Sequence, residues 1–288
     1  MYAHQVIEDL KTTPQWVKKE SAMTAASFIN QSVKFHVGDW VGFQETMPSS
    51  TVVDMLLERP SQIRMPYKKT YIDGELSNGD FSGKFAHIVE ELDEGLFLIY
   101  TFFYKQKVWF QTPTSFLIST EGKTFSEFDL SEIYENHDDE KFGELSIAEL
   151  ILDNHAPPEM IKNAEKTTTT TMRDMCKFIC IFCSLLSCKN IETADNPPPE
   201  RLNKKRIKSG KQPLFTYKTL VIKPTGKQQQ STPRHLWENR IHLCRGHFKT
   251  YTEDAPLFGR FTGRYWWQPS VRGRNKDGVV MKDYKVEA

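Results

Sequence analysis

Four strand-like segments between residues 65 and 119 constrain the fold more than any other feature of the sequence. Met65–Leu76 and Phe81–Leu92 flank Asn78-Gly79, and Asn-Gly is the strongest short signal for a tight β-hairpin because both turn residues take positive φ. Leu96–Tyr104 and Val108–Ser119 follow as apolar, aromatic-rich segments. The first of these is nearly unbroken, which indicates a strand buried on both faces. The pattern predicts an antiparallel meander of at least four strands.

A long apolar segment, Met172–Cys188, predicts one buried helix. It has seventeen residues, fewer than the roughly 18–20 apolar residues that span a bilayer. Before it, the apolar spacing in Ile147–Leu152 predicts a short helix, and after it Leu214–Lys223 alternates as a strand does. We therefore predict an α+β fold with an antiparallel β meander in the N-terminal half, a buried helix near residues 172–188 and a smaller basic C-terminal antiparallel sheet.

Two interruptions divide the chain. Asn154–Pro158 ends the acidic region, and the proline run in Asn196–Pro199 marks a stiff linker. We expect an N-terminal α+β domain over residues 1–155, a helical segment with its linker over residues 156–198, and a basic, β-rich C-terminal region over residues 199–288.

Charge is distributed unevenly, although the formal net charge is only +1. Residues 127–159 contain eleven acidic residues and one basic residue, whereas residues 189–288 contain 21 Lys and Arg against 9 Asp and Glu. Such an asymmetry indicates an anionic partner for the basic part, pairing between the two segments, or simply two solvated faces.

The N-terminus carries neither a basic-then-apolar signal pattern nor an Arg-rich transit pattern. Since no segment is long and apolar enough to span a membrane, we expect a cytoplasmic protein without a membrane partner. In that compartment the five cysteines are expected to be free thiols or ligands.

Three of these cysteines, Cys176, Cys180 and Cys183, share one face of the predicted helix. One interpretation is a metal site that His242, Cys244 and His247 complete, although a continuous helix makes a poor metal knuckle. The other interpretation is core packing, because apolar residues interleave with the thiols and free Cys prefers burial. We expect core packing, with no metal and no other cofactor.

A basic run between residues 201 and 211 is the first candidate binding element. Five of its cationic residues, Lys204, Lys205, Arg206, Lys208 and Lys211, surround one apolar residue, Ile207. Such a run neutralises phosphates without reading sequence. The alternative is a solvated linker.

The last fifty residues hold the densest group of His, Arg and aromatic residues. Arg240–Phe248 and Gly259–Trp267 are predicted to be facing strands, and Gly246 could bulge the first of them. One face would then carry Arg245, His247, Arg264 and Arg272 beside the rings of Tyr265, Trp266 and Trp267, while His242 and Cys244 point toward the core. This composition predicts binding of single-stranded nucleic acid or RNA, because rings stack on bases and arginines hold the backbone. A hydrogen-bonded core is the alternative.

The same residues suggest a metal-independent ribonuclease. His247 would act as general base or acid, Arg245 and Arg272 would stabilise the phosphorane charge, and Tyr251 would be the partner group. The sequence contains no Gly-rich phosphate loop, no His-Glu-x-x-His helix and no Gly-x-Ser-x-Gly elbow, which excludes the corresponding classes of nucleotide hydrolase, metalloprotease and α/β-hydrolase.

Several motifs resemble a family of uncharacterised bacteriophage and prophage proteins. They are the segment Leu202–Ile222, the pattern His-x-x-Arg-Gly-His in His242–Tyr251, Leu257-Phe-Gly259, Tyr265-Trp-Trp267 and Val271-Arg-Gly273, together with Met65–Tyr71. The resemblance covers the last third of the chain and one earlier strand. It implies a viral origin and a place in the host cytoplasm, and it carries no activity with it. A phage protein that binds a host defence or transcription component, or a virion component, is therefore an alternative to nucleic-acid binding.

Overall fold

A computed structural model describes residues 1–47, 65–78, 81–93, 95–120, 140–142, 145–151, 174–223, 241–272 and 279–280. Within these ranges the helices are α1 (Ala3–Thr12), α2 (Lys19–Gln31), α3 (Trp40–Glu45), α4 (residues 174–186) and α5 (Glu200–Lys208). The strands are β1 (Val33–Asp39), β2 (Lys69–Asn78), β3 (Phe81–Asp93), β4 (Leu96–Lys105), β5 (Val108–Ser119), β6 (Glu140–Phe142), β7 (Leu145–Ile151), β8 (Ile191–Asn196), β9 (Tyr217–Ile222), β10 (Ile241–Cys244), β11 (His247–Tyr251), β12 (Gly263–Trp267), β13 (Ser270–Arg272) and β14 (Val279–Val280).

Nine of the described strands form one large sheet in the order β6-β7-β5-β4-β3-β2-β1-β9-β8. All neighbouring strands from β6 to β2 are antiparallel, and so are β8 and β9. Strand β1 lies between β2 and β9 and is parallel to both. The predicted α+β class and the antiparallel meander are confirmed.

Two small sheets follow near the C-terminus. Strands β11 and β12 form an antiparallel pair, which is the smaller C-terminal antiparallel sheet that the sequence predicts. Strand β10 lies between β13 and β14, antiparallel to the first and parallel to the second.

The two predicted hairpins of the meander form through tight connections. Asn78 pairs with Phe81 across the β2–β3 hairpin. The β4–β5 hairpin closes through Gln106 and Lys107, whose φ angles of 50° and 68° are both positive. Positive φ at both central residues is the type I′ arrangement that fits the twist of paired strands. Here it forms without the Asn or Gly that usually supplies it.

The predicted helix at Ile147–Leu152 is wrong, because residues up to Ile151 belong to strand β7. Strand β7 pairs with β5 over Ser146–Ile151 and continues the sheet. Ile147 lies in one hydrophobic core cluster and Ala148 in another. In a strand, successive residues face opposite sides, so neighbouring apolar residues are expected where both faces of the strand are buried. A short apolar segment is compatible with a helix or a strand, and here the pairing with β5 makes it a strand.

Helices cover both faces of the large sheet. On the face that we call the α1 face, α1 and α2 pack on residues such as Tyr71, Ile88 and Trp109. On the opposite face, the α4 face, α4 packs on Phe35 and its neighbours together with Trp40 of α3 and Trp266 of β12. The buried helix that the sequence predicts near residues 172–188 is confirmed as α4. No described helix is long and apolar enough to cross a membrane.

The large sheet includes strands from before and after the expected boundary at residue 198. Strand β8 precedes that boundary and β9 follows it, and the two strands pair over their whole length. Strand β9 also pairs with β1, near the start of the chain. Residues 191–222 therefore contribute to the same sheet as the N-terminal half.

Candidate functional site

The segment predicted as one strand, Arg240–Phe248, is two strands in different sheets. Strand β10 ends at Cys244, and β11 begins at His247. Gly246 lies between them, where a Cβ atom would come within 2.6 Å of the Trp266 ring. Its N–H donates to the Thr46 carbonyl at 2.8 Å. Because a side chain at residue 246 would collide with Trp266, glycine allows the backbone to pass this close to the ring at the point where the chain changes sheets.

The register of β11 with β12 decides which side chains share a face. His247 pairs with Trp267 and Lys249 pairs with Tyr265, so these four lie on one face of the hairpin, which we call the outer face. Arg264 is opposite Thr250 and lies on the inner face. The expected single face containing both His247 and Arg264 is therefore wrong. The side chain of Arg272 lies outside the described residues.

The inner face of the hairpin packs on the α4 face. Trp266 is 2% exposed, and its ring contacts Phe43 and Phe248, with centroids 5.4 and 4.7 Å away. The Asn190 side chain donates to the Trp266 carbonyl at 2.7 Å and accepts from its N–H at 2.9 Å. Arg264 donates to the Ser184 hydroxyl at 3.3 Å. The structure thus uses Trp266 and Arg264 for packing, and the Trp266 ring offers no free face for base stacking.

The outer face keeps part of the composition of a binding surface, although its Tyr265 is only 8% exposed. Lys249 is exposed, and His247, Tyr251 and Trp267 are half-buried. The Lys249 ammonium lies 4.9 Å from the centre of the Tyr251 ring, and His247 Nδ1 is 3.1 Å from the Arg245 carbonyl oxygen. His247 and Tyr251 are four residues apart on one strand, which separates them by about 13 Å. They therefore do not meet at one phosphate as the ribonuclease hypothesis requires.

Helix α5 is the predicted basic run, and it is almost entirely exposed. None of its residues is buried. Lys204 pairs with Glu200 one turn earlier at 2.6 Å. Arg206 donates to the Gln212 carbonyl at 2.7 Å and lies 3.7 Å from Glu8 of α1, so it helps to attach the helix. Lys205, Lys208 and Lys211 extend into solvent.

The two candidate binding elements lie over opposite faces of the large sheet. Helix α5 and the segment after it contact α1 and α2, through Arg206 to Glu8 and through Gln212 to Asn30. The β11–β12 hairpin contacts the α4 face. The structure therefore places the two basic elements that the sequence predicts on separate surfaces.

A polar cluster that sequence reasoning missed lies in the middle of the large sheet. His36, Asp73 and Tyr217 come from the adjacent strands β1, β2 and β9. The Asp73 carboxylate is fully buried. It lies 2.7 Å from His36 Nδ1 and accepts hydrogen bonds from the Tyr217 hydroxyl at 2.8 Å and from the Tyr2 N–H. The Tyr217 oxygen accepts from the Ala3 N–H at 2.7 Å.

This cluster attaches the start of α1 to the sheet. The first N–H groups of a helix have no partner within the helix, and Asp73 and Tyr217 supply partners for them. Burial and the nearby Asp73 charge raise the pKa of Tyr217, which keeps its hydroxyl protonated and able to donate. A buried carboxylate beside an imidazole, with the His36 side chain 22% exposed, is also an arrangement that general bases use. The Asp that directly follows Tyr71 and Ile72 in β2 is the only local signal for the cluster, and it is a weak one.

The three cysteines on α4 are part of the core. Cys176, Cys180 and Cys183 are each less than 5% exposed, and Cys183 Sγ is 3.4 Å from Met65 Sδ. Burial raises the pKa of Cys176 and of Cys183 to about 12, so these thiols stay protonated at neutral pH. Among the described residues no group of three or more His, Cys, Asp and Glu side chains is placed to hold a metal ion. The placement agrees with core packing.

Arg206 helps to attach α5, but the lysines of the exposed basic surfaces extend into solvent, and these surfaces are the candidate functional site. They are α5 and the outer face of the β11–β12 hairpin. Comparisons with protein-family models, with curated proteins and with solved structures found no match to this chain.

Proposed function

We propose that the protein binds nucleic acid, single-stranded or RNA, through its basic C-terminal elements, with α5 as the main phosphate-contacting helix. The observation that carries the proposal is that α5 buries none of its side chains. A surface helix normally buries an apolar stripe against the core. Helix α5 instead presents lysines on a well-formed helix, and an anionic backbone is the partner that such a surface suits.

Binding is favoured over cleavage by the arrangement of the outer face. His247 and Tyr251 are too far apart to act on one phosphate, and Arg264 contributes to the other face of the hairpin. A phage or prophage origin stays part of the proposal and rests on the sequence motifs.

The proposal is tested by measuring the affinity for labelled single-stranded DNA, RNA and duplex across a range of salt concentrations. For a single strand, each phosphate contact contributes about 0.7 to the slope of log affinity against log salt. The double variant Lys204→Gln/Lys205→Gln should reduce that slope by roughly 1 to 1.5. Lys105→Gln/Lys107→Gln, at the exposed β4–β5 turn, is the matched control and should leave it unchanged. An equal effect of both variants, or no binding at all, would refute the proposal.

A protein partner is a second candidate because α5 also exposes apolar side chains. Leu202 is 43% and Ile207 is 61% exposed, although a nucleic-acid backbone gains little from aliphatic contact. A phage protein that binds a host component would use these residues together with the lysines. Capture of one stoichiometric host protein that resists nuclease and is lost in Leu202→Ser/Ile207→Ser would favour this candidate over nucleic-acid binding.

A further inference from the structure

Two phenylalanine rings are exposed at the tip of the β11–β12 hairpin. Phe258 is 63% and Phe261 is 52% exposed. They lie in the connection between Tyr251 and Gly263, with Arg260 exposed between them. Single exposed apolar residues are common and need no explanation. Two aromatic rings that flank an arginine within four residues form a distinct surface, and neither ring contributes to the hydrophobic core.

The tip is held in shape by its own backbone. Leu257 and Phe261 exchange two hydrogen bonds, N–H to carbonyl, at 2.8 and 3.0 Å. The N–H of Gly259 donates to the Pro256 carbonyl and that of Arg260 donates to the Leu257 carbonyl, both at 3.1 Å. Leu257 is 5% exposed and anchors the turn. Because the turn is closed by these bonds, the rings are displayed before any ligand arrives.

The backbone at Phe258 is in a conformation that a bulky residue rarely takes. Its φ angle is +53°, followed by +69° at Gly259. A left-handed conformation is ordinary for glycine and costly for phenylalanine. The turn accepts this cost at a residue whose side chain makes no core contact, and strain of this kind concentrates at functional sites.

The tip and its neighbourhood carry several basic residues. Within the described ranges no ion pair involves Arg260, and the stem of Lys189 packs against Gly263 at the end of the turn. Lys249 adds a further cation on the outer face. Glu253 and Asp254 lie at the start of the turn, so the tip itself is not uniformly basic, but residues 189–288 as a whole carry 21 basic against 9 acidic residues.

From these observations we infer that the hairpin tip is a base-stacking site for single-stranded nucleic acid. Phe258 and Phe261 stack on unpaired bases, and Arg260 contacts the phosphate between them. Aromatic stacking tolerates any base sequence because every base has a π-face, whereas the bases of a duplex are stacked on each other and do not reach the rings. The inference rests on the proposed function, and it assigns the protein's preference for single strands to residues outside α5.

The test compares three replacements at both phenylalanines, using labelled oligothymidine and a duplex of equal length. Phe258→Ser/Phe261→Ser should weaken binding to oligothymidine by at least about tenfold, since each stacked base contributes about 1–3 kcal/mol, with little effect on the duplex. Phe258→Trp/Phe261→Trp should retain binding because the rings are kept. Phe258→Leu/Phe261→Leu should lose binding as the serine variant does.

Arg260→Gln should lower the slope of log affinity against log salt by about 0.7. Met23→Ser, which removes an exposed apolar side chain from α2, should have no effect.

Each contrary outcome has a distinct meaning. If the leucine variant binds oligothymidine as well as the wild type, the surface is simply apolar and the stacking inference is wrong. The inference also fails if the wild type binds anionic lipid vesicles and the serine variant does not, while the serine variant keeps its affinity for oligothymidine. A membrane is then the partner of the hairpin tip. If the serine variant binds oligothymidine as the wild type does, but Lys204→Gln/Lys205→Gln still lowers the salt slope, this inference is wrong and the proposed function stands. If the wild type binds neither oligothymidine nor duplex nor the labelled RNA, the proposed function itself fails.

Discussion

The buried cluster of His36, Asp73 and Tyr217, which we call the Asp73 cluster, and helix α5 place charged residues in opposite environments. Asp73 is fully buried, and its oxygens are surrounded by His36, Tyr217 and the start of α1. The charged groups of α5 lie in water, and the pair between Lys204 and Glu200 joins two exposed side chains. A buried charge must be matched by partners or the fold loses stability, whereas an exposed pair contributes little. Exposed charges are therefore the ones available to a ligand.

Two lysines show the same contrast. Lys34 is 5% exposed, and its ammonium donates to the carbonyls of Ile29, Asn30 and Ser32 at the end of α2, at 2.5, 3.3 and 2.6 Å. Burial lowers the pKa of Lys34 to about 8. Lys205 on α5 is exposed. The first lysine closes a helix, and the second is available to a phosphate.

The largest effect is expected for Asp73→Asn. The replacement keeps the shape of the side chain but removes the charge and turns one acceptor into a donor facing existing donors. Breaking a buried charged network in this way should lower the free energy of unfolding by about 3–5 kcal/mol. Urea unfolding measures this loss, and hydrogen exchange should show α1 opening first. A loss of about 1 kcal/mol or less would show that the cluster is not what attaches α1.

Acid should cause the next largest effect through His87. This side chain is 3% exposed and lies between the rings of Phe85 and Phe178. Burial lowers the pKa of His87 to about 3, so the folded state keeps it neutral while the unfolded chain binds a proton below its usual pKa of about 6.5. Stability should therefore fall as the pH falls from about 6.5 toward 3, by about 3 kcal/mol at about pH 4.

The variant His87→Leu isolates this contribution from that of the carboxylates. Its unfolding free energy should depend less steeply on pH in the same range, because the group that titrates in the unfolded state is gone. Urea unfolding of both proteins at neutral pH and at about pH 4 measures the difference. Parallel pH profiles for the two proteins would contradict the expectation.

The smallest effect on stability is expected for Lys204→Gln/Lys205→Gln. Since α5 buries none of its residues, the unfolding free energy should change by less than about 0.5 kcal/mol, although the affinity for nucleic acid falls. Thermal unfolding checks this beside the binding measurement. A clear destabilisation would mean that the lysines serve the fold, and the contrast between the two regions would not hold.

Local features of the sequence were sufficient for the meander and for α4. Asn78-Gly79 and the apolar runs on either side specify paired strands through backbone preferences of adjacent residues. The apolar segment around Cys180 predicts a buried helix for a similar reason. The basic composition of residues 201–211 also identified a candidate binding element that is exposed, because a run this rich in charge and poor in apolar residues is costly to bury.

Other features depend on residues that are distant in the sequence. The parallel pairing of β1 with β2 and β9 has no local signal, and residues 73 and 217 are joined across 144 positions. Strand β7 takes its conformation from β5, and residue 246 has no room for a side chain because the Trp266 ring packs against it. Each of these outcomes is decided by contacts that exist only once the sheet has formed.

The sequence by itself determined which residues are abundant near the C-terminus and where strands and helices are favoured. Only the tertiary structure decided which of those residues reach solvent. Trp266 is buried because it completes the core on the α4 face, whereas Phe258 and Phe261 are exposed because the turn that carries them closes on its own backbone. The residue type alone does not distinguish the buried ring of Trp266 from the exposed rings of Phe258 and Phe261, because burial depends on how the whole chain packs.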